Sequence, residues 1–182
     1  SNINNKGINA YVKVGVPLNA ANTRNIAFVA DYTYHQIDSY FGLKDYNGKQ
    51  NSVFANLIYQ EEIGESHRIN AGVRNQFDLF GETLVDQYIT SQKWNSNTYI
   101  LDRKENSVGV YGEYTYTSGD KFTAVAGVSV DYNSIYGLLV APRANIKYAF
   151  TEDIIFRASG GRGYRSPNVV VDNIGMLSTG RE

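Results

Sequence analysis

The sequence predicts an all-β chain that forms part of a transmembrane antiparallel β-barrel. Three observations carry this: long segments of strict two-residue alternation, connections that are alternately short and long, and an excess of tyrosine, with 15 Tyr in 182 residues. Alternation puts one class of residue on each face of a strand. Short turns on one side and long loops on the other are the plan of outer-membrane barrels. Tyrosine suits positions that are apolar at one end and wet at the other.

The alternation runs through eight segments. Ile8, Ala10, Val12, Val14 and Val16 share a face, as do Ile26, Phe28, Ala30, Tyr32 and Tyr34. Val53, Ala55, Leu57 and Tyr59 form the third segment. The fourth carries Ile69, Ala71, Val73, Phe77 and Leu79 on one face, broken by Asn75, with Arg68, Asn70, Gly72, Arg74, Gln76 and Asp78 opposite. Val108, Val110, Tyr114 and Tyr116 make a fifth, and Phe122, Ala124, Ala126, Val128 and Val130 a sixth. Leu138, Val140, Ala144, Ile146 and Tyr148 follow, then Ile154, Phe156 and Ala158. A helix would spread the charges of such segments all round its surface. At roughly ten residues or more, each is long enough to cross a bilayer as a tilted strand, about twice the strand length usual in globular domains.

Short turns are expected at Leu18–Thr23, Glu61–Ser66, Thr117–Asp120 and Phe150–Asp153. Longer connections are expected at Phe41–Gln50, Gly81–Lys104 and from Arg165 onward, with Asp131–Gly137 a shorter member of that set. Asn47-Gly48 reads as the type I′ tip of the first outer loop. Tyr32, Tyr34, Tyr40 and Phe41 at one level, with Tyr148 and Phe150 at the other, read as two aromatic belts.

Composition removes several classes. A net charge of -1, from 17 Lys+Arg against 18 Asp+Glu, gives no reason to expect a nucleic-acid partner. Absent cysteine excludes a disulfide framework and thiolate metal sites. No apolar run approaches the ~20 residues of a membrane helix. A soluble β-sandwich is the competing fold, but its outer face would carry Lys and Glu freely. Here the polar face is rich in Gly, Asn, Ser and Thr with Arg interspersed.

Eight strands could close a small barrel. The turn assignment puts both ends of the chain on the outer side, and the chain stops in the polar stretch Ser178–Glu182. Unpaired strand edges in lipid cost several kcal/mol per orphan backbone group. Residues 1–182 are therefore expected to be one part of a single barrel domain whose other strands lie elsewhere.

The last part of the chain, from residue 141 onward, resembles a family. The run from Ala141 through Pro142, Arg143 and Lys147 to Tyr148 is similar to a strand of TonB-dependent receptors, and the run Phe156–Asn168 to the strand that follows it. In that second strand Arg162, Tyr164, Arg165, Pro167 and Asn168 match, and Val171–Arg181 fits the stretch that comes next. The resemblance implies about 22 strands in the whole barrel, around an N-terminal plug domain that is not in this chain. It implies import of a scarce nutrient such as a siderophore or corrinoid chelate across a bacterial outer membrane, energised by the partner TonB. No cofactor is implied.

Within the motif, alternation turns Arg157 toward the lumen. Gly160, Gly161 and Gly163 allow close approach of a plug or simply accommodate curvature. Arg157, Arg162 and Arg165 are candidate contacts to the plug, since the guanidinium fork suits carboxylates and carbonyls. For ligand contact the candidates are Trp94, Tyr88 and Tyr99 in the loop Gly81–Lys104, with His35 on the lumen face. Gly160–Gly163 lacks the Lys and helix of a phosphate loop. Asp31 and His35 share a face but stand about 13 Å apart at 3.3 Å per residue, too far for a catalytic dyad. His67 reads as a solvated turn residue. A passive pore or structural outer-membrane barrel and an outer-membrane hydrolase are the competing functions. The first would lack a plug, and the second would need a Ser/His or Asp/His set converging in the lumen.

Overall fold

The computed structural model describes residues 2–90, 93–151 and 153–164. They form one antiparallel sheet of β1 (Asn2–Pro17), β2 (Arg24–Phe41), β3 (Lys44–Ile63), β4 (His67–Thr90), β5 (Lys93–Ile100), β6 (Arg103–Ser118), β7 (Phe122–Asn133), β8 (Gly137–Ala149) and β9 (Ile155–Gly161). Eight strands pair in the order β1-β2-β3-β4-β6-β7-β8-β9, and β5 pairs with the upper part of β4. The eight expected strands are the eight of this path. The sheet is open, with β1 and β9 as its edges among the described residues.

The register explains why alternation was such a strong signal. One hydrogen-bonded row runs Val14, Phe28, Leu57, Val73, Val110, Val130, Val140, apolar at every strand. A slip of one residue at any pairing would set that row against the polar face. The apolar face has no partner: among the described residues Tyr46 is the one buried hydrophobic side chain, while Val14, Phe28, Leu57, Val73 and Val110 are all exposed. A sheet with this outward face and no core of its own needs an apolar surrounding.

The sheet is sheared as a barrel wall must be. The row Val16, Ile26, Tyr59, Ala71, Gly112, Val128, Pro142 begins one residue before the end of β1 and finishes seven residues before the end of β8. That drift is about one residue per strand, and with 3.3 Å per residue and 4.8 Å between strands it gives a tilt of about 35°.

At the lower rim, rings on the apolar face touch in sequence. His67 lies 5.2 Å from Tyr116, Tyr116 6.2 Å from Phe122, Phe122 6.4 Å from Tyr148, and Tyr148 4.8 Å from Phe150. His67 thus opens β4 and belongs to an aromatic row, with its Nδ1 also against the Tyr114 hydroxyl, although its side chain remains exposed. The upper belt is narrower than expected. Tyr32 and Tyr34 belong to it, joined at the same level by exposed Tyr132 on β7. Tyr40 pairs with Asn2 and Asp45, about 20 Å or more further up the strand at 3.3 Å per residue. Phe41 alternates onto the opposite face.

Two expected loops are strand instead. Phe41–Gln50 has its turn at Gly42-Leu43, where Gly42 adopts φ 62 as the first position of a two-residue hairpin allows. Asn47-Gly48 lies within β3, paired to Asp38 and Ile37. The reason is close packing: a Cβ on Gly48 would come 2.7 Å from the Tyr46 hydroxyl and 3.1 Å from Ile37. Gly81–Lys104 is likewise a continuation of β4 folded back as β5, from Thr83↔Ile100 to Thr90↔Lys93. β2 to β5 therefore rise well beyond the apolar band as a paired extension.

Candidate functional site

The polar alternates share the other face, and that face is concave. Side chains from β2 to β8 line one hollow of about 840 Å³, with His35, Arg74, Asp78, Glu105 and Asp131 on its wall and Tyr164 closing from beyond β9. Asp78 and Glu105 stand directly opposite each other on β4 and β6. Like charges in that position repel, and each is held by other groups. Asp78 accepts from Ser52 and from Gln76 at 2.9 Å; Glu105 accepts from Asn133 at 2.7 Å and has Arg103 at 3.8 Å.

The wall is braced by side chains that meet across an intervening strand, each time over a glycine. Arg74 on β4 reaches Asp131 on β7 with two bonds, 2.9 and 2.7 Å, across Gly109 of β6. Arg143 on β8 reaches Glu113 on β6 at 2.6 Å across Gly127 of β7. Tyr111 on β6 reaches Asn56 on β3 across Gly72 of β4, at 3.2 Å. A Cβ at Gly109 would sit 2.6 Å from the Asp131 Cγ, and one at Gly72 would sit 2.7 Å from the Leu57 carbonyl oxygen. The bare strand is what lets the bridge pass. Arg74 also lies 5.8 Å from the Tyr111 ring, joining two of the bridges.

Below the apolar band, the hydrogen bond from Tyr59, and then Arg24 at 2.8 Å, hold the Glu61 carboxyl below its usual range. In the upper extension Tyr46 is 2 % exposed and donates to Glu82 at 2.6 Å. Burial first, and then that bond, push the Tyr46 hydroxyl well above the ordinary phenol value.

The residues singled out from sequence fall in three places. His35 lines the hollow about two-thirds of the way up β2, with its Cδ2 over Gly7. Tyr88, Trp94 and Tyr99 are all exposed on the β4–β5 extension, but not on one face. Tyr99 pairs with Leu84 and Tyr88 with Asn95, on the inner side that Glu82 shares; Trp94 pairs with Ile89 on the outer side. Arg157 pairs with Lys147 on the polar face of β9, and Arg162 lies just past β9 with its guanidinium 4.8 Å from the Tyr164 ring. Arg165, Pro167 and Asn168 lie outside the described residues. The sequence puts Arg74 on the polar face of its strand and Asp131 at the start of the connection Asp131–Gly137, and does not show them as partners, because the bridge depends on register two strands away. The glycines at 72, 109 and 127 on otherwise polar faces were the available signal. Among the described residues no three His, Cys, Asp or Glu converge as a metal-binding group.

A tilted, sheared sheet with an apolar outward face, aromatic rows and a braced polar concavity defines the wall of a transmembrane β-barrel. The chain belongs to the TonB-dependent receptor-like β-barrel family, whose model matches residues 4–178. Among solved structures, the copper transporter OprC superposes with a TM-score of 0.54 at 10 % identity, over 80 % of this chain and 27 % of that one. The ferric citrate transporter FecA, in its unliganded form, gives a TM-score of 0.50 at 15 % identity, over 85 % of this chain and 27 % of that one. At such identities the likeness is one of fold. This chain spans about a quarter of the length of either transporter. No curated protein sequence matches it.

Proposed function

We propose that residues 1–182 are part of the barrel of a bacterial outer-membrane receptor that imports a scarce nutrient, a metal chelate such as a siderophore or corrinoid, energised through TonB. The match of residues 4–178 to the receptor family carries this reading. A plug domain of the same receptor would fill the concave face, and the remaining strands would join the free edges of β1 and β9.

The charge balance of the wall supports the assignment of plug contacts. Of the described arginines, Arg24, Arg68, Arg74, Arg103 and Arg143 are each paired with a carboxylate. Arg157 and Arg162 are not in an ion pair among the described residues, and both are exposed. They, with Arg165, are the forks we assign to plug carboxylates and carbonyls. Ligand contact is assigned to Tyr88 and Tyr99 on the inner side of the extension and to His35 below them, with Trp94 reached from the outer side.

The test is uptake by the full-length receptor. A deletion strain is grown under iron limitation and under cobalamin limitation, with and without TonB. A TonB-dependent growth defect in one condition supports the proposal. Unchanged uptake in both removes the metal-chelate cargo, and uptake that survives loss of TonB points to a passive pore.

A further inference from the structure

The outward surface changes character at the top of the apolar band. Lys6 on β1 pairs with Gln36 on β2, and Gln36 with Lys49 on β3, in one row. That row lies two residues above Ile8 and Tyr34 on the same face. Lys104 on β6 pairs with Leu79 of the apolar face. Allowing for the shear of about one residue per strand, the three lysines stand within about two residues of one height along the wall, some 6 Å. All three lysines are exposed, and Lys104 lays its Nζ 5.4 Å from the Phe77 ring. Among the described residues none of them is in an ion pair.

From the lysine row upward the outward face is hydrogen-bonding. The Tyr34 hydroxyl donates to Gln36 at 2.9 Å, Gln36 donates to Asp38 at 2.9 Å, and Asn47 donates to Asp38. A groove of about 370 Å³ opens there, lined in part by Asn2, Asn4, Tyr40 and Asn47. Asp38 and Asp45 line it too, so positive charge is confined to the level below.

We propose that Lys6, Lys49 and Lys104 bind the phosphate groups of an anionic glycolipid in the outer leaflet, with the amides of Gln36 between them and of Asn4 and Asn47 above them taking sugar hydroxyls. The surface is continuous with the lipid-facing band beneath it, so whatever headgroup covers that band must touch this row. Tyr32, Tyr34 and Tyr132 mark the headgroup level. Lys104 holds its ammonium over the ring of Phe77 on the neighbouring strand, a cation–π contact that keeps this charge at the upper edge of the apolar band. The acidic side chains above repel phosphate and favour neutral sugar, which sets the order of the two contacts. The inference rests on the barrel fold and is independent of what the barrel transports.

The experiment uses the full-length receptor in detergent micelles and native mass spectrometry of retained lipid. The probes are bisphosphorylated lipid A, its dephosphorylated form, and phosphatidylglycerol. A basic side chain near an anionic lipid surface contributes about 1 kcal/mol, so the triple variant K6Q/K49Q/K104Q should bind bisphosphorylated lipid A about a hundredfold more weakly. The triple Lys→Arg variant should restore it. Heat-modifiable gel mobility checks that each variant is folded. Equal retention by wild type and the Gln variant, or equal retention of the dephosphorylated form, overturns the proposal. Phosphatidylglycerol binding as tightly as lipid A would overturn the assignment to a glycolipid.

Discussion

Gly109→Ala is the most direct test of the braced wall. Gly109 is not among the residues with positive φ, so alanine costs nothing in backbone strain there. Its Cβ, however, falls on the Asp131 carboxylate, 2.6 Å from Cγ, and the carboxylate must swing away from Arg74. Two charge-assisted bonds of 2.9 and 2.7 Å are then broken or lengthened. Breaking a fully buried pair costs about 3–5 kcal/mol, and an exposed pair contributes about 1 kcal/mol or less. With the Arg74 side chain 38 % exposed and Asp131 14 %, this bridge lies between those limits. The expected loss is about 2 kcal/mol, in line with hydrogen bonds to charged groups.

A double-mutant cycle separates this from simple crowding. With Asp131→Ala already in place the space is open, and Gly109→Ala should cost no more than about 0.5 kcal/mol, leaving a coupling of about 1.5 kcal/mol. The Val130 carbonyl, 3.2 Å from the new Cβ, is present in both backgrounds and cancels. The assay is reversible urea unfolding of the full-length barrel in micelles, read by heat-modifiable mobility. Equal costs of Gly109→Ala in the two backgrounds would refute the glycine-crossing bridge.

Tyr46→Phe removes the donor to Glu82, itself 8 % exposed, and should loosen the extension by about 1–3 kcal/mol while leaving the barrel's own unfolding midpoint unchanged. Protease susceptibility between residues 81 and 100 reads it, and unaltered cleavage would count against the bond. Because the folded Tyr46 has a raised pKa, its contribution is full below the ordinary phenol value of about 10 and lost as pH rises beyond it, so wild-type extension should become cleavable in alkali. Val110→Arg puts a charge in the middle apolar row and should cost about 2–4 kcal/mol, the range for a bilayer midplane. A folded yield equal to that of Val110→Ala would refute the outward, lipid-facing placement.

The strands were legible because membrane strands carry the strongest period-two signal, one face apolar over its whole length. The same physics hid the extension. From the lysine row upward the outward face of β3 carries Lys49, Asn47 and Asp45, and β5 alternates Asn95 and Asn97 with Ser96 and Thr98. With polar residues on both faces there is no alternation to read, and strand formation there comes from pairing to neighbours already in register. Asn47-Gly48 misled for a related reason. The dipeptide is a turn signal when only backbone conformation is considered, but this glycine is needed for the space over it that the Tyr46 ring occupies.

The site was legible as residue types and not as partners. Arg143 stands in the segment that resembles the receptor family, while its carboxylate, Glu113, lies thirty residues earlier and two strands away. No local pattern joins them; the register does, together with the missing side chain at Gly127. This has a consequence for the rest of the wall. Bridges over glycine neutralise Arg74 and Arg143 within the sheet, so these cations are not available to an incoming chelate or to a plug without first surrendering an ion pair. Among the described residues the guanidinium groups outside an ion pair are those of Arg157 on β9 and Arg162 just beyond it. Arg157→Gln and Arg162→Gln should therefore weaken plug retention without moving the barrel's unfolding midpoint, whereas Arg143→Gln should do the reverse. Limited proteolysis of the plug, run beside urea unfolding of the barrel, distinguishes the two. If all three substitutions behaved alike, the division of the wall's arginines into bracing and binding sets would be wrong.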